Sequence, residues 1–363
     1  MCPECGNVPT PFRGYCVSAA SRDLTDGTPR RRATISDVAK AAGVSPSTAS
    51  RALTGQGYAA ASVKARVLAA ADELGYVPDD IARSLKRRAS RLVGVMISDL
   101  RNQFYADLAA GIEQVLGAAG HQMVLVNDDG DTDRELAGAR TLLAMRVPGA
   151  IVTPLSAAAG KLLTEQGVHV VEVDRQMADS QCDAVLVDSE HGARECTRHL
   201  LELGHRRIAF LIDELEWTTG VGRLAGYRGA LEGNGVPYDS TLVVRVGFGT
   251  DSPAAATAAL LDRHPDVTAI FAANNLMAQG VWQELQRRNL GVPADMSLVA
   301  FDDLPWMTMV APGVSAVSQP VVEVGAKAAE TLLARLSGEL TGEPRTVWLQ
   351  PSFVRRGSTR KLD

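Results

Sequence analysis

Residues 33–53 read Ala33-Thr-Ile-Ser-Asp-Val-Ala-Lys-Ala-Ala-Gly-Val-Ser-Pro-Ser-Thr-Ala-Ser-Arg-Ala-Leu53. Thr34 and Asp37 have the spacing of a helix start, in which the hydroxyl caps a free amide and a carboxylate answers from three residues on. The spacing predicts a helix to about Ala42, where Gly43 supplies a left-handed turn. Ser45-Pro46 opens a second helix, with Ser45 as cap and Pro46 at the first helical position, where its missing N–H costs nothing. Ala39, Gly43 and Ala49 let the helices cross closely, while Val38, Val44 and Leu53 can form a minimal core. This is helix-turn-helix spacing. It leaves Pro46, Ser47, Ser50 and Arg51 on the outer face of the second helix, which such modules lay in the major groove of DNA.

Beyond this hairpin, Val63, Val67, Ala70, Ala71 and Leu74 mark an amphipathic third helix over 63–74, ending at Gly75. After Tyr76-Val-Pro78 comes Asp79-Asp-Ile-Ala-Arg-Ser-Leu-Lys-Arg-Arg88, a further helical stretch with acids at its start and bases at its end, as the helix dipole prefers. Charge divides at the same place. Residues 30–91 carry a net +7, whereas residues 92–363 carry −11, within a total of −5. Such a partition fits a polyanion-binding head on an acidic body that would repel a phosphate backbone.

The 363 residues, 46% hydrophobic and 22% charged, suffice for two or three folded domains and exclude a disordered or fibrous chain. No apolar run approaches a membrane span and residues 1–22 lack a signal-peptide pattern, so the expected compartment is the cytoplasm. Five cysteines are too few for a disulfide framework. Cys2, Cys5 and Cys16 raise the question of zinc, but a structural site needs four ligands and no fourth is near; neither metal nor cofactor is expected. Residues 1–32 read as a disordered extension or as the result of a start codon assigned too early, with Arg30, Arg31 and Arg32 able to touch phosphates either way.

From residue 92, short apolar runs alternate with helical patterns. Strands are predicted near 92–98, 123–127, 150–153, 169–174, 207–212, 242–246, 269–273 and 297–301, and helices near 104–119, 133–145, 157–166, 221–232, 253–263 and 275–288. These repeated β-α units predict two doubly wound parallel-sheet lobes behind a small all-α helix-turn-helix head. Ligands of such sheets lie beyond the carboxyl ends of strands. The polar residues there are Asp99, Asn102, Asp128, Asp129, Asp174, Arg175, Asn274, Asn275, Asp302 and Asp303, with Phe104, Tyr105, Trp217 and Trp306 as flat surfaces. Carboxylates and amides that chelate vicinal hydroxyls, beside an aromatic face, suit a hydroxyl-bearing ligand. Each of these residues alone serves equally well as a helix cap.

The run over 33–53, with Leu74-Gly-Tyr-Val-Pro78 and Ile81-Ala-Arg-Ser-Leu85, resembles the lactose-repressor (LacI/GalR) family over about residues 33–357. The resemblance implies a periplasmic-binding-protein-like α/β body and a transcriptional regulator, most simply a repressor, whose operator affinity follows a small effector, with sugars or their derivatives the leading class. It places Pro46, Ser47 and Arg51 at base-reading positions and Thr48 and Ser50 near phosphates, with Thr34 and Ala82 in the DNA-contacting set. Residues 79–86 become a hinge helix whose Leu85 wedges into the minor groove. For the effector it implies Asn102, Phe104, Asp174, Thr219, Arg223, Asn274 and Asp302. Departures fall at Ala60 and Val63, where Ser or Thr is usual and Ser62 could act as a shifted cap, at Asn275, which replaces Asp, and at Gln103, which replaces Pro.

The implied domains are an extension over 1–32, a DNA-binding domain over 33–78, a hinge and linker over 79–90, an effector-binding and dimerisation domain over 91–357 and a tail over 358–363. The lobes are expected to divide as 91–187 with 316–346, and 188–315 with 347–357. No leucine-heptad tail follows, so a homodimer reading a pseudo-palindromic operator is expected. The alternatives are a solute-binding protein with a vestigial head, which the intact head opposes, and an enzyme using Asp302-Asp303, for which no nucleophile-base arrangement is visible.

Overall fold

The computed structural model describes residues 33–54, 58–76, 91–213, 217–247 and 252–362, in two compact units divided between residues 80 and 81. Residues 1–32, the expected hinge helix over 79–86, and with it Ala82 and Leu85, lie outside the described residues.

The head has three helices, α1 (Ile35–Ala42), α2 (Pro46–Thr54) and α3 (Ala61–Glu73). Thr34 Oγ1 accepts from the Asp37 amide at 3.3 Å while the Asp37 carboxylate accepts from the Thr34 amide at 2.8 Å, closing the predicted capping box. Gly43, at φ 66°, takes the left-handed conformation that ends α1. Ser45 Oγ accepts from the Thr48 amide at 3.2 Å and caps α2. The core is Val38, Ala39, Ala42, Ala49, Ala52, Val67, Ala70 and Ala71, against which Val44, Leu53 and Val63 pack. Alanine at the crossings lets backbones approach closely, but each contributes little apolar area. At α3 the expectation fails: Ser62 is no cap, because the helix starts one residue earlier, at Ala61, and its N-cap position, Ala60, offers no side-chain cap bond.

The body holds two six-stranded sheets. The first has the order β2-β1-β3-β4-β5-β11, from β1 (Leu92–Ile97), β2 (Gln122–Asn127), β3 (Gly149–Val152), β4 (His169–Val173), β5 (Asp183–Val187) and β11 (Thr346–Leu349), all parallel. The second has the order β7-β6-β8-β9-β10-β12, from β6 (Ile208–Ile212), β7 (Val243–Arg245), β8 (Ala269–Ala272), β9 (Ser297–Phe301), β10 (Ser315–Ser318) and β12 (Ser352–Val354), with β12 antiparallel to β10. The central strands β3, β5, β6, β8 and β9 are buried along their whole length, as strands covered by helices on both faces must be.

The covering helices are α4 (Gln103–Ala118), α5 (Thr132–Ala144), α6 (Ala157–Glu165), α7 (Ser189–Glu202), α8 (Thr218–Gly233), α9 (Pro253–Arg263), α10 (Asn275–Arg287), the short α11 (Trp306–Met309) and α12 (Val321–Ser337). Two pairs pack backbone to backbone. A β-carbon at Gly325 of α12 would fall on the Leu108 carbonyl of α4, and one at Gly226 of α8 on the Glu190 carbonyl of α7. In the second lobe the Phe210 ring stacks between Tyr227 and Phe271 at 4.8 and 4.7 Å.

The chain crosses between lobes three times, and two crossings fall later than expected. The first follows Val187, the last residue of β5. Ala316 sits inside β10, paired with Ala300 of the second sheet, so the second crossing lies between Ser318 and Val321. Val347 sits inside β11, paired with Val185 of the first sheet, so the third lies between Leu349 and Ser352. The expected tail is also part of the second lobe: Ser358 is fully buried, its hydroxyl bonded to the Leu298 carbonyl at 2.6 Å, and the Leu362 amide donates to the Leu203 carbonyl at 2.8 Å.

Helix α12 returns to the first lobe after the chain has built the second, and an ion pair holds it there. The Arg335 guanidinium donates to both Asp183 oxygens, at 2.7 and 2.8 Å, with both side chains under a tenth exposed. Removing one partner strands the other charge in a dry interior. Asp183→Ala is therefore expected to cost about 3–5 kcal/mol, read as a lowered denaturation midpoint, whereas breaking the exposed Lys327–Glu330 pair should shift it hardly at all.

Candidate functional site

On the head, Ala49 and Ala52 turn inward and leave the opposite face of α2 free. Pro46, Ser47 and Arg51 are exposed there, and Thr48 and Ser50 are half-buried beside them. The face is pre-arranged: Ser45 Oγ bonds the hydroxyls of Ser47 and Thr48, each at 2.9 Å, and Arg51 Nε reaches back to the Ser47 carbonyl at 3.4 Å. Thr34 is occupied by its cap. Lys40, Lys64 and Arg66 are exposed, and so is Tyr58, at 88%, a residue that the sequence reading passed over. A surface with several cations and exposed or half-buried hydroxyls is suited to a phosphate backbone.

In the body, β4 and β9 end alike. Asp174 and Asp302 follow them directly, both in the left-handed region, at φ 69° and 67°, where a side chain other than glycine is strained. Asp302 is buried and fully engaged. Its Oδ2 accepts from the Asn275 amide and side chain, both at 3.2 Å, and its Oδ1 accepts from Gln319 at 2.6 Å. The same Asn275 amide group donates across the cleft to Asn102 Oδ1 at 3.2 Å, and Asn102 Oδ1 also caps α4 through the Phe104 amide. Phe104 and Asp302 line one cavity of about 130 Å³ with Gln319 and Val321.

Asn274 and Arg223 are drawn into the second lobe. Asn274 caps α10 through the Met277 amide and donates to Asp213 at 3.0 Å. Arg223 donates to the Ala273 carbonyl at 2.7 Å and lies 4.0 Å over the Phe301 ring, leaving its buried Nε without a partner. Asp174 and Thr219 instead line a larger cavity, of about 390 Å³. Burial pushes the Asp174 carboxyl up to about 6, against the pull of the Arg175 and Arg223 guanidinium groups and with the push of Asp302 and Asp213. Those mutual influences show that the two cavities share one charged neighbourhood.

Two further residues join the lobes. The Arg175 guanidinium donates to the Pro154 carbonyl at 2.7 Å and to Ser98, and stacks at 3.9 Å on Trp217, whose indole N–H donates to the Leu155 carbonyl at 3.3 Å. Other strand-end residues are structural. Asp303 holds Arg356 through two bonds of 2.7 and 2.8 Å, Asp99 and Asp129 pair with Arg101 and Arg134, and Trp306 packs on Trp282 in the second lobe. The pairing of Asp303 also removes it from any acid-base couple with Asp302.

Asp128, Glu135 and Glu172 form a buried acidic group in the first lobe. Burial pushes Asp128 and Glu172 up to about 7, and Glu135 upward, although the Leu155 amide and Ser156 hydroxyl stabilise its charge. The sign follows from linkage. Between their ordinary values of 3.8 and 4.5 and about 7, the folded chain binds more protons than the unfolded one, so these carboxyls lower stability as pH rises through that window. His199 and His205, both lowered by burial, act in the opposite sense below their ordinary 6.5. The measurable quantity is therefore a difference: Asp128→Asn should gain stability over the parent as pH is raised from about 5 to 8 in urea titrations, and a constant gap would contradict this account.

The comparisons with known proteins agree with this architecture. Residues 34–79 match the family model of bacterial regulatory proteins, lacI family, and residues 197–359 match that of a periplasmic binding protein-like domain. The HTH-type transcriptional regulator CelR of Thermobifida fusca is 35% identical over 338 residues, covering 91% of this chain and 99% of the relative. A structure described as a transcriptional regulator CelR-cellobiose complex aligns at a TM-score of 0.69 and 33% identity, covering 90% of this chain and all of that one. The lac repressor dimer bound to operator and the anti-inducer ONPF aligns at 0.78 and 27% identity, covering 91% and 100%. No helix among the described residues is long and apolar enough to cross a membrane. With both halves of its architecture matched and a 35% identical relative aligned over nearly its full length, the chain belongs to the lacI family of bacterial regulatory proteins and is a DNA-binding transcriptional regulator.

Proposed function

We propose that this regulator is a cytoplasmic homodimeric repressor whose operator affinity is set by a sugar or sugar derivative held between its two lobes. The observation that carries this reading is the cleft polar set. Asp302, bonded by Asn275 and Gln319 and linked through Asn275 to Asn102, lies beside Phe104, while Asp174 and Thr219 face open space. Carboxylates and amides at fixed positions beside a buried aromatic ring suit vicinal hydroxyls on a ring with one apolar face. The family's CelR-cellobiose complex supports the ligand class, and the operator-bound lac repressor dimer supports the partners.

In the head, Pro46, Ser47 and Arg51 are assigned to base edges and Thr34, Thr48 and Ser50 to the backbone. Ala82 and Leu85 are assigned to a hinge helix in the minor groove on the family resemblance. In the body, Asn102, Phe104, Asp174, Thr219, Arg223, Asn274 and Asp302 are assigned to the effector. An effector with different affinities for two lobe arrangements shifts their populations, and the shift reaches DNA through the hinge segments.

Two measurements test the reading. In fluorescence anisotropy with a pseudo-palindromic operator, Arg51→Ala should lose about 1–3 kcal/mol of discrimination between operator and random duplex while leaving the melting temperature of the chain unchanged. Thermal shift of the full chain against sugars should give a stabilisation of about 2.7 kcal/mol at a hundredfold excess over Kd, abolished by Asp302→Ala. The ionised Asp174 carboxylate accepts from hydroxyl groups more strongly than its protonated form does. Affinity should therefore fall as pH drops through about 6, and Asp174→Asn should bind weakly at every pH. Equal affinity for operator and random DNA in the parent protein would overturn the regulator's assigned contacts, and a pH-independent affinity would remove Asp174 from the site.

A further inference from the structure

The larger cavity extends beyond the residues assigned to the effector. From Asp174 and Thr219 it runs toward the first and third lobe crossings, where Leu186, Ser189, Val221 and Trp348 form its walls. Its volume of about 390 Å³ lies within the range of small-molecule sites, about 300–1,000 Å³. The cavity at Phe104, of about 130 Å³, lies below it.

Three features of this extension lack a structural explanation. Trp348, on the edge strand β11, is 55% exposed, and Val221, on the first turn of α8, is exposed to the same degree. Scattered apolar residues on a surface mean little, but an indole and an isopropyl group facing one cavity leave apolar area in water at a site already shaped to hold something. Ser189 is 5% exposed, and its Oγ has no hydrogen-bond partner although it borders the cavity. A buried hydroxyl left unpaired costs free energy that a ligand's hydroxyl would recover. Helix α8 also begins at Trp217 without a side-chain cap, so its first amides, at Thr218 and Thr219, are not capped.

Charge narrows the ligand. Asp174, Asp188 and Glu190 border the cavity and, among the described residues, no Lys, Arg or His does. One helix terminus offers roughly half a positive charge, too little to offset three carboxylates, even with Glu190 paired to Arg194. A phosphorylated sugar would be repelled.

Resting on the reading that a sugar binds between the lobes, we infer that the site has a second ring subsite at Trp348 and Ser189, and that the effector is an uncharged glycoside of at least two rings. One ring lies at Asp174 and Thr219, and the next lays its apolar face on the Trp348 indole while a hydroxyl reaches Ser189 Oγ. Indole faces suit the C–H side of a pyranose because they offer a flat apolar surface with an electron-rich centre.

The test is calorimetric titration of the full chain with cellobiose, lactose and maltose, with glucose and galactose as single rings, and with glucose 6-phosphate. At least one disaccharide should bind ten times or more tighter than its component monosaccharides, and glucose 6-phosphate should not bind. Trp348→Ala should bring the disaccharide down to the monosaccharide level while leaving the monosaccharide affinity within twofold. Trp348→Phe should restore most of the difference, and Ser189→Ala should remove part of it. Because Trp348 is largely exposed, the Trp348 variants should melt with the parent. A monosaccharide that binds as tightly as any disaccharide, with the Trp348 variants indifferent, overturns the subsite and leaves the sugar reading intact. If none of these sugars binds, both readings fall together, and tight binding of glucose 6-phosphate overturns the charge argument and with it the proposed glycoside.

Discussion

A buried carboxylate is tolerable only when its charge is answered, and Asp302 sets much of the body's arrangement by that requirement. It sits 6% exposed at the end of β9, in a strained left-handed conformation, with no cation among the described residues bonded to it. Its answer comes from neutral donors: the amide and side chain of Asn275, at the start of α10, and Gln319, in the second crossing between lobes. Three segments far apart in sequence must therefore meet at one point. Because Gln319 lies where the chain leaves the second lobe, the position of that crossing is tied to the floor of the cleft. Asn275 carries the constraint onward to Asn102 in the first lobe, so one side chain satisfies a buried charge and touches the opposite wall.

The residue type at 275 matters for this. An aspartate there, usual in the family that the sequence resembles, would set a second carboxylate about 3.2 Å from Asp302 and against the Asn102 carbonyl oxygen. Like charges so close cannot both ionise without cost. Asparagine makes the contact donor to acceptor on both sides, and the lobes can meet without a proton or a cation.

What the sequence revealed was whatever short range decides. The capping box at Thr34 and Asp37, the turn at Gly43 and the cap at Ser45 each depend on neighbours within four residues, and all stand as read. The strand-end rule found Asp174 and Asp302 for the same reason. Helix α7 went unread because its buried face includes Ser189, Thr197 and His199, which break the apolar period; β10 and β12 also went unread. Roles fixed by distant partners were also hidden. Nothing near Asp303 announces Arg356, 53 residues on, and nothing near Asn275 announces Asn102. Ser62 misled in the other direction, since a plausible cap residue does not cap when the helix has already begun.

Among the described residues, the contacts that join the lobes are mostly neutral. They include Asn275 to Asn102, the Gln176 amide to Thr218 at 3.0 Å, Trp217 to the Leu155 carbonyl, and the Arg175 guanidinium on the Trp217 ring. At a net of about 0.5–1.5 kcal/mol for each hydrogen bond, they favour closure by only a few kcal/mol before the entropy of holding the lobes together is subtracted. Moving a two-state equilibrium from one per cent to ninety-nine takes roughly 5.5 kcal/mol of differential affinity. A ligand that adds several hydrogen bonds available only when the lobes meet can supply that, because the buried Ser189 hydroxyl has no bond to give up. Tighter interlobe pairing, such as a buried ion pair, would hold the lobes together regardless of ligand and remove the response. A neutral bridge of this weakness would leave the arrangement of the lobes to a ligand bound between them.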